Sequence, residues 1–390
     1  MPTTRTRKGI TGLGVSGAAL LMVVTAACSG SPDSTPQSSP TTALAASHAP
    51  SRPTTSAAAR PTAPSTTAPA ATATTTPRPT VPATTAPPVT STTAAPSSGG
   101  AFPTASSTGV TAGTSLVNWT GSMSSSAVPG STEVVDGITY KVINGYSFNL
   151  ATNDQYFSIN DANVIIRNSR FTKAAVDSGQ ALVRTSNGAR SLIIERSEFE
   201  AAFNRGVQSD TADITIRASR FHNTGEAAVE KNDRSAASSL TVTDSYMTND
   251  KGWPSGQHVD GIQIGGAKNV TITHNTILNQ PYGGTNGNTG YVSNSALGLW
   301  AELGNVSGSV TVDGNLLAGG GYVIYVEQKS PYSWQGPVRI TNNTFDTRYS
   351  STAGVWGPLY PRGLPSNLTW SGNSFSDGRA ISQSSAINDF

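Results

Sequence analysis

Apolar and polar residues alternate through eight segments that align without gaps: NVIIRNSRF at 163, SLIIERSEF at 191, DITIRASRF at 213, SLTVTDSYM at 239, NVTITHNTI at 269, SVTVDGNLL at 309, PVRITNNTF at 337 and NLTWSGNSF at 367. Val164 and Ile166, Ile214 and Ile216, and Val270 and Ile272 show the period of a strand with one buried face. Five positions after the first apolar residue stands a small polar one: Ser169, Ser197, Ser219, Ser245, Asn275, Asn315, Asn343 and Asn373. Two positions further stands a large apolar one: Phe171, Phe199, Phe221, Met247, Ile277, Leu317, Phe345 and Phe375. The segments start 22 to 40 residues apart. One strand per such interval, always in one register, cannot close a single core. Coils stacked at the inter-strand spacing of ~4.8 Å can. The pattern predicts about eight coils over about residues 131–376. The Ser/Asn column turns a corner and hydrogen-bonds along the stack, and the apolar columns fill the interior. The absence of an LxxLxL pattern argues against a leucine-rich repeat.

A second row of strands lies between these segments: ALVRTS at 181, GVQSD at 206, AAVEKND at 227, GIQIGG at 261, ALGLWAE at 296, YVIYVEQ at 322 and GVWGPLY at 354. Val207, Val229, Ile262, Leu299 and Ile324 face inward. The whole pattern resembles the right-handed parallel β-helix of pectate lyases and their relatives. That resemblance implies an all-β, single-stranded solenoid that acts on a polysaccharide.

The outward positions of the second row are the candidate site: Arg184, Gln208 with Asp210, Glu230 with Asn232, Asp260 and Gln263, Trp300 with Glu302, Tyr325 with Glu327 and Lys329, then Trp356. Carboxylates recur on neighbouring coils, and like charges directly opposite are destabilising. A bound cation, a sugar groove or a set of Lys/Arg partners would each account for the stripe. Carboxylates on adjacent coils would stand ~5 Å apart, as in a retaining glycosidase, and those two coils apart ~9–10 Å, near the inverting range. Converging carboxylates would also suit Ca²⁺. The alternative is a solvated polar face with its charges paired locally.

The sharpest motif, His258-Val259-Asp260-Gly261-Ile262-Gln263, resembles the Asn-Thr-Asp-Gly motif of polygalacturonases, with His258 in place of Asn. The resemblance implies that Asp260 is a catalytic carboxylate. The Asp-Asp, Gly-His-Gly and Arg-Ile-Lys motifs of that family are not in this chain. Lyases on this scaffold abstract a proton with Lys or Arg, which makes Lys231, Arg234 and Lys329 candidates. The expected catalytic set is Asp260, Glu302, Glu230, Glu327, His258 and Lys329. The expected substrate-binding set is Arg184, Gln208, Asp210, Gln263, Trp253, Trp300, Tyr325 and Trp334. Long loops at 279–295, with Tyr282 and Tyr291, and at 329–336, with Tyr332 and Trp334, belong on the functional face of a solenoid.

The chain ends complete the picture. Arg5, Arg7 and Lys8 precede an apolar run that ends at Thr25-Ala26-Ala27-Cys28, the layout of a secretory signal rather than a membrane span. This junction resembles the lipobox of bacterial lipoproteins. The resemblance implies diacylglycerol on Cys28 and anchoring at the outer face of the cell membrane. The alternative is a plain signal with an incidental cysteine. Cys28 is the chain's one cysteine, so no internal disulfide forms. Residues 28–105 are dominated by Thr, Pro, Ala and Ser, too poor in large apolar groups to pack a core, and read as a disordered stalk. The organisation expected is a leader at 1–27, the stalk at 28–105, the β-helix at 106–380 and a loose tail at 381–390. Of 25 basic and 23 acidic residues, Arg5, Arg7, Lys8, Arg52, Arg60, Arg78 and Asp33 precede position 105, which leaves 19 against 22. A mildly acidic folded part argues against nucleic acid as a partner; a monomer is expected. The composition leaves a non-enzymatic glycan-binding or adhesive solenoid as the rival function.

Overall fold

The computed structural model describes residues 100–152, 154–173, 180–201, 204–249, 259–280 and 293–388. The leader, Cys28 and nearly all of the stalk lie outside the described residues, as do Trp253, His258, Tyr282 and Tyr291.

The chain folds as a parallel β-helix with three sheets. Among the described residues, sheet I has ten strands, from Ser131–Val135 to Leu368–Ser371; sheet II has ten, from Val117–Trp119 to Ser374–Phe375; sheet III has eight, from Phe157–Ile159 to Gly357–Leu359. Each aligned segment contributes a strand to sheet I and another to sheet II. Asn163–Arg167 and Arg170–Lys173 are the first such pair. The corner between them explains why one motif supplies two sheets. Just before each Ser/Asn position stands a residue in the left-handed region: Asn168, Arg196, Ala218, Asp244, His274, Gly314, Asn342 and Gly372, with φ from 43° to 67°. That single residue turns the chain from sheet I into sheet II.

The Ser/Asn column then satisfies the backbone that the corner frees. The amide of each corner donates to the side-chain oxygen of the next coil, from Ser169 to Ser197 (3.3 Å), through Ser245 to Asn275 (2.9 Å), to Asn343 and Asn373 (2.9 Å). Behind the column the aromatic residues stack face to face. Phe148, Phe171, Phe199 and Phe221 lie with successive centroids 4.7, 5.1 and 4.5 Å apart and their planes within 16° of parallel, in the range of favourable aromatic pairs.

Among the described residues the stack holds nine coils, one more than the eight aligned segments. An additional one, Ile138–Asn144 with Tyr146–Leu150 and Phe157–Ile159, precedes the first aligned segment. It keeps the apolar column, since Phe148 pairs with Phe171. It has Tyr146 where the others have Ser or Asn, so it escapes the motif.

Residues 117–135 close the N-terminal end sheet by sheet. Val117–Trp119 pairs with Tyr146–Leu150, Ser124 bridges Ser158, and Ser131–Val135 adds antiparallel to Ile138–Asn144. At the other end the helix Gln383–Asn388 stands where a loose tail was expected. Ala386 is fully buried and Trp370 Nε1 donates to Ile381 O at 2.8 Å. Apolar burial, rather than helix propensity, orders this short segment.

Candidate functional site

Sheet III carries the outward positions, and a bend within it decides which side chains reach them. In Ala181–Thr185, Glu226–Asn232, Ser295–Ala301 and Tyr322–Gln328, two consecutive residues face the core: Leu182 and Val183, Ala228 and Val229, Ala296 and Leu297, Val323 and Ile324. Gly261 and Ile262 are the equivalent pair, and a methyl group added at Gly261 would meet Ile277 Cγ2 at 2.3 Å. The alternation therefore slips by one. Residues before the bend, such as Asp260, and after it, such as Gln263, share the outer side. Beyond the bend the register stacks Ser158, Arg184, Gln208, Glu230, Gln263, Gly298 and Tyr325 in one column.

Cations neutralise most of the carboxylate stripe. Arg205 forms ion pairs with Glu230 and, at 3.5 Å, with Glu226; Arg184 lies 3.9 Å from Asp210; Lys329 Nζ donates to Glu302 Oε2 at 2.7 Å. Asn232 Nδ2 donates to Glu230 Oε1 at 2.5 Å, while burial raises the Glu230 carboxyl above its ordinary range. The hydrogen bond to Glu302 raises Lys329. Among the described residues, no group of three or more His, Cys, Asp or Glu gathers as a metal site.

Asp260 differs from the rest of the stripe. It is 1% exposed, and its described side-chain partners are neutral: Ser295 Oγ, and Asn294 Nδ2 at 3.1 Å. Burial pushes its pKa up to about 8, against the hydrogen bonds of Ser295 and Asn294. At neutral pH it is mainly the acid. Two buried asparagines hold its strand. Asn249 Nδ2 donates to Asn279 Oδ1 at 3.1 Å, and Asn279 Nδ2 donates to Val259 O at 2.6 Å and Ser295 O at 2.7 Å.

A cleft of about 320 Å³ opens beside Asp260, lined by Gln263, Asn294, Trp300, Glu302, Tyr325, Glu327, Lys329 and Tyr360. Its floor is aromatic. Tyr325 lies 5.9 Å from Trp300, 4.7 Å from Tyr360 and 5.7 Å from Tyr322, between ring centroids. Tyr322 continues to Trp356 at 5.7 Å, and the Trp356 side is half exposed. Both indoles rest on glycine. A methyl group at Gly298 would stand 2.1 Å from the Trp300 ring, and one at Gly321 would stand 2.3 Å from Trp356. Burial, with the Asp260 carboxyl nearby, raises the Tyr325 hydroxyl.

Six expected residues thus share one cleft: Gln263, Trp300, Glu302, Tyr325, Glu327 and Lys329. Asp260 does not line it and reaches it through Asn294. Arg184, Gln208, Asp210 and Glu230 stand on earlier coils; Gln208 and Asp210 line a separate cavity of about 400 Å³ with Asn232, Asp233 and Arg234. Trp334, expected to bind substrate, is 6% exposed and belongs to the apolar core. Its loop bridges back to Val306, which turns the indole inward. Lys231, a candidate base, is also buried: it lies past the bend on the inward register, and Nζ donates to Ala212 O (2.9 Å) and Ser238 Oγ (2.6 Å). Sequence reading missed Tyr322, Tyr360 and Asn294. The signal available for the floor was the pairing of an outer-face glycine with a nearby tryptophan.

No protein-family model, curated protein or solved structure matches this chain.

Proposed function

We propose that this protein binds and cleaves a glycan chain in the cleft on the outer face of sheet III, by hydrolysis or β-elimination. The observation that carries the proposal is the aromatic floor of Trp300, Tyr325 and Tyr360 bordered by Glu302, Glu327 and Lys329. Flat apolar rings with polar groups at their edge suit the two-sided character of a sugar, whose C–H face stacks while its hydroxyls hydrogen-bond. Asp260 is the proposed acid: a carboxyl held neutral by burial is matched to proton donation near neutral pH. Glu327 and Glu302 are the carboxylates of the cleft proper. The resemblance to pectate-lyase-like β-helices supports the same reading.

The proposed setting is the outer face of a cell membrane, with diacylglycerol on Cys28 as anchor and residues 28–105 as tether. Among the described residues no helix is long and apolar enough to cross a membrane.

A polysaccharide screen read for both new reducing ends and unsaturated product tests the activity. Cleavage by the wild type that disappears in Asp260→Asn and in Glu327→Gln supports it. Retention of a glycan without cleavage turns the reading to a binding solenoid. The near-complete burial of Asp260 and the pairing of Glu302 with Lys329 favour that second reading.

A further inference from the structure

Resting on the glycan reading of this cleft, we infer that its ligand is a neutral glycan lying along the helix axis, and that polyuronates are excluded. Two independent features carry this, the direction of the aromatic floor and the charge inventory of its walls.

The direction follows from the register. Leu297 pairs with Ile324, and Ile324 with Leu359, so Ser295–Ala301, Tyr322–Gln328 and Gly357–Leu359 are successive rungs. Trp300, Tyr325 and Tyr360 therefore stand on or beside three neighbouring coils. The floor climbs at ~4.8 Å per coil, parallel to the axis rather than across the strands. A linear chain laid on it meets the half-buried rings of Tyr325 and Tyr360 and the exposed edge of Trp300, itself 7% exposed, and binds by contact area rather than by charge.

Among the described residues the walls supply no free cation. Among the described residues lining the cleft the sole cation is Lys329, and its ammonium is committed to Glu302 at 2.7 Å. Glu327 stands on the same wall, facing Trp300 in the register, and has no ion-pair partner among the described residues. Elsewhere on this face Arg205 is held by Glu230 and Glu226, and Arg184 faces Asp210. Arg362 adjoins Gly363, which packs against Glu327 at the margin, but it does not line the cleft. A uronate chain would bring a carboxylate with each ring into a site whose unpaired charge is already negative. It would lose hydration and meet repulsion there. A neutral sugar suffers neither and, lacking the carboxyl that acidifies the α-proton for β-elimination, leaves hydrolysis as the cleavage of the two. This separates the cleft from the acidic-substrate sites to which its motif is similar, where Ca²⁺ or arginine answers the uronate charge.

The test is affinity electrophoresis of the full-length protein through gels containing neutral polysaccharides (a β-glucan, a galactan, a mannan) or polygalacturonate and alginate, each at low and high salt. The expected result is retardation by at least one neutral polymer, unchanged by salt, with both uronates weaker by roughly tenfold or more, about 1.4 kcal/mol. Tyr360→Ala should abolish the retardation, with Tyr360→Phe keeping most of it. Glu302→Gln/Glu327→Gln, which frees Lys329, should gain polyuronate retardation. Tighter binding of a polyuronate than of any neutral polymer by the wild type would overturn the substrate class and leave the glycan reading standing. Retardation by no glycan of either class would overturn both.

Discussion

Trp300 lies across Gly298, two residues before it on the same strand, so closely that a single methyl group on the glycine would come within 2.1 Å of the indole. The glycine is there for the surface rather than for the backbone, since its φ is unexceptional. It leaves a shallow seat on the outer face of sheet III, and the indole fills it as the first ring of the floor. Gly298→Ala should therefore unseat the indole at a cost of about 1–3 kcal/mol, the range of overpacking a filled site. Thermal melting should show the loss in the wild-type background and little of it when Trp300→Ala is already present. Equal losses in both backgrounds would mean that the glycine serves something other than the indole.

Asp260 predicts a pH dependence of definite sign. Its pKa is near 3.9 in an unfolded chain and about 8 in the fold, chiefly through burial. Between those values the folded state binds more protons than the unfolded one, so stability falls as pH rises, and levels off above about 8. Asp260→Asn keeps the shape and removes the titration. Its melting temperature should decline less across this window than that of the wild type. Parallel profiles would show that Asp260 ionises normally.

Lys231 works in the opposite sense at higher pH. Burial lowers its pKa to about 8, below the ordinary 10.4 or so. Through that window the unfolded chain holds more protons and stability rises with pH. Lys231→Met should flatten the rise while preserving the fold, because its volume and stem are retained in the apolar interior. A larger loss for Lys231→Met than for Lys231→Glu would contradict its inward placement.

The corner asparagines should be costly to truncate. Asn315 Oδ1 accepts from Asn275 N at 2.8 Å, and its Nδ2 donates to Ile272 O at 2.8 Å and to Asn343 Oδ1 at 2.9 Å. Asn315→Ala strands several buried groups, at about 1–3 kcal/mol for each left unpaired. Asn315→Ser should recover part of the loss, because serine fills this same position from Ser169 to Ser245. Chemical denaturation would rank the three proteins; an alanine variant as stable as the serine one would remove the ladder from the energetics.

The anchor is tested apart from the fold. Cys28→Ser should leave the protein exported and shift it from the membrane fraction to the soluble one, and persistence in the membrane fraction would refute lipidation.

The fold was legible because its repeat is written in residues with narrow physical roles. Ser/Asn at one corner and Phe two positions on define coil, corner and core together, and Ile216, placed inward on that basis, is fully buried. Legibility ended where a coil used other residues for the same work. Tyr146 needs only to donate its amide to Ser169 Oγ, so nothing in its side chain marks the corner. The site was harder. Both Asp260 and Gln263 were expected outward, which strict alternation does not allow for residues three apart; the paired inward residues of the bend are what bring them to one side. Trp334 and Trp300 were both expected on the outer face, Trp334 from its loop and Trp300 from its strand position after Leu299. Both are nearly buried, at 6% and 7% exposed: a backbone bridge to Val306 turns the first into the core, and a glycine seat lays the second on the outer face, where it lines the cleft.

The corner ladder also gives the stack a direction. Each coil lends an acceptor backward and borrows one from the coil ahead, from Tyr146, which borrows from Ser169, to Asn373, which lends to Asn343. The first coil has no acceptor to lend at this corner, and the antiparallel strand Ser131–Val135 covers its sheet I edge. A second molecule approaching that end meets no matching corner and, in sheet I, no parallel register. A solenoid whose coils are nearly interchangeable is thereby kept from growing end to end into a fibre.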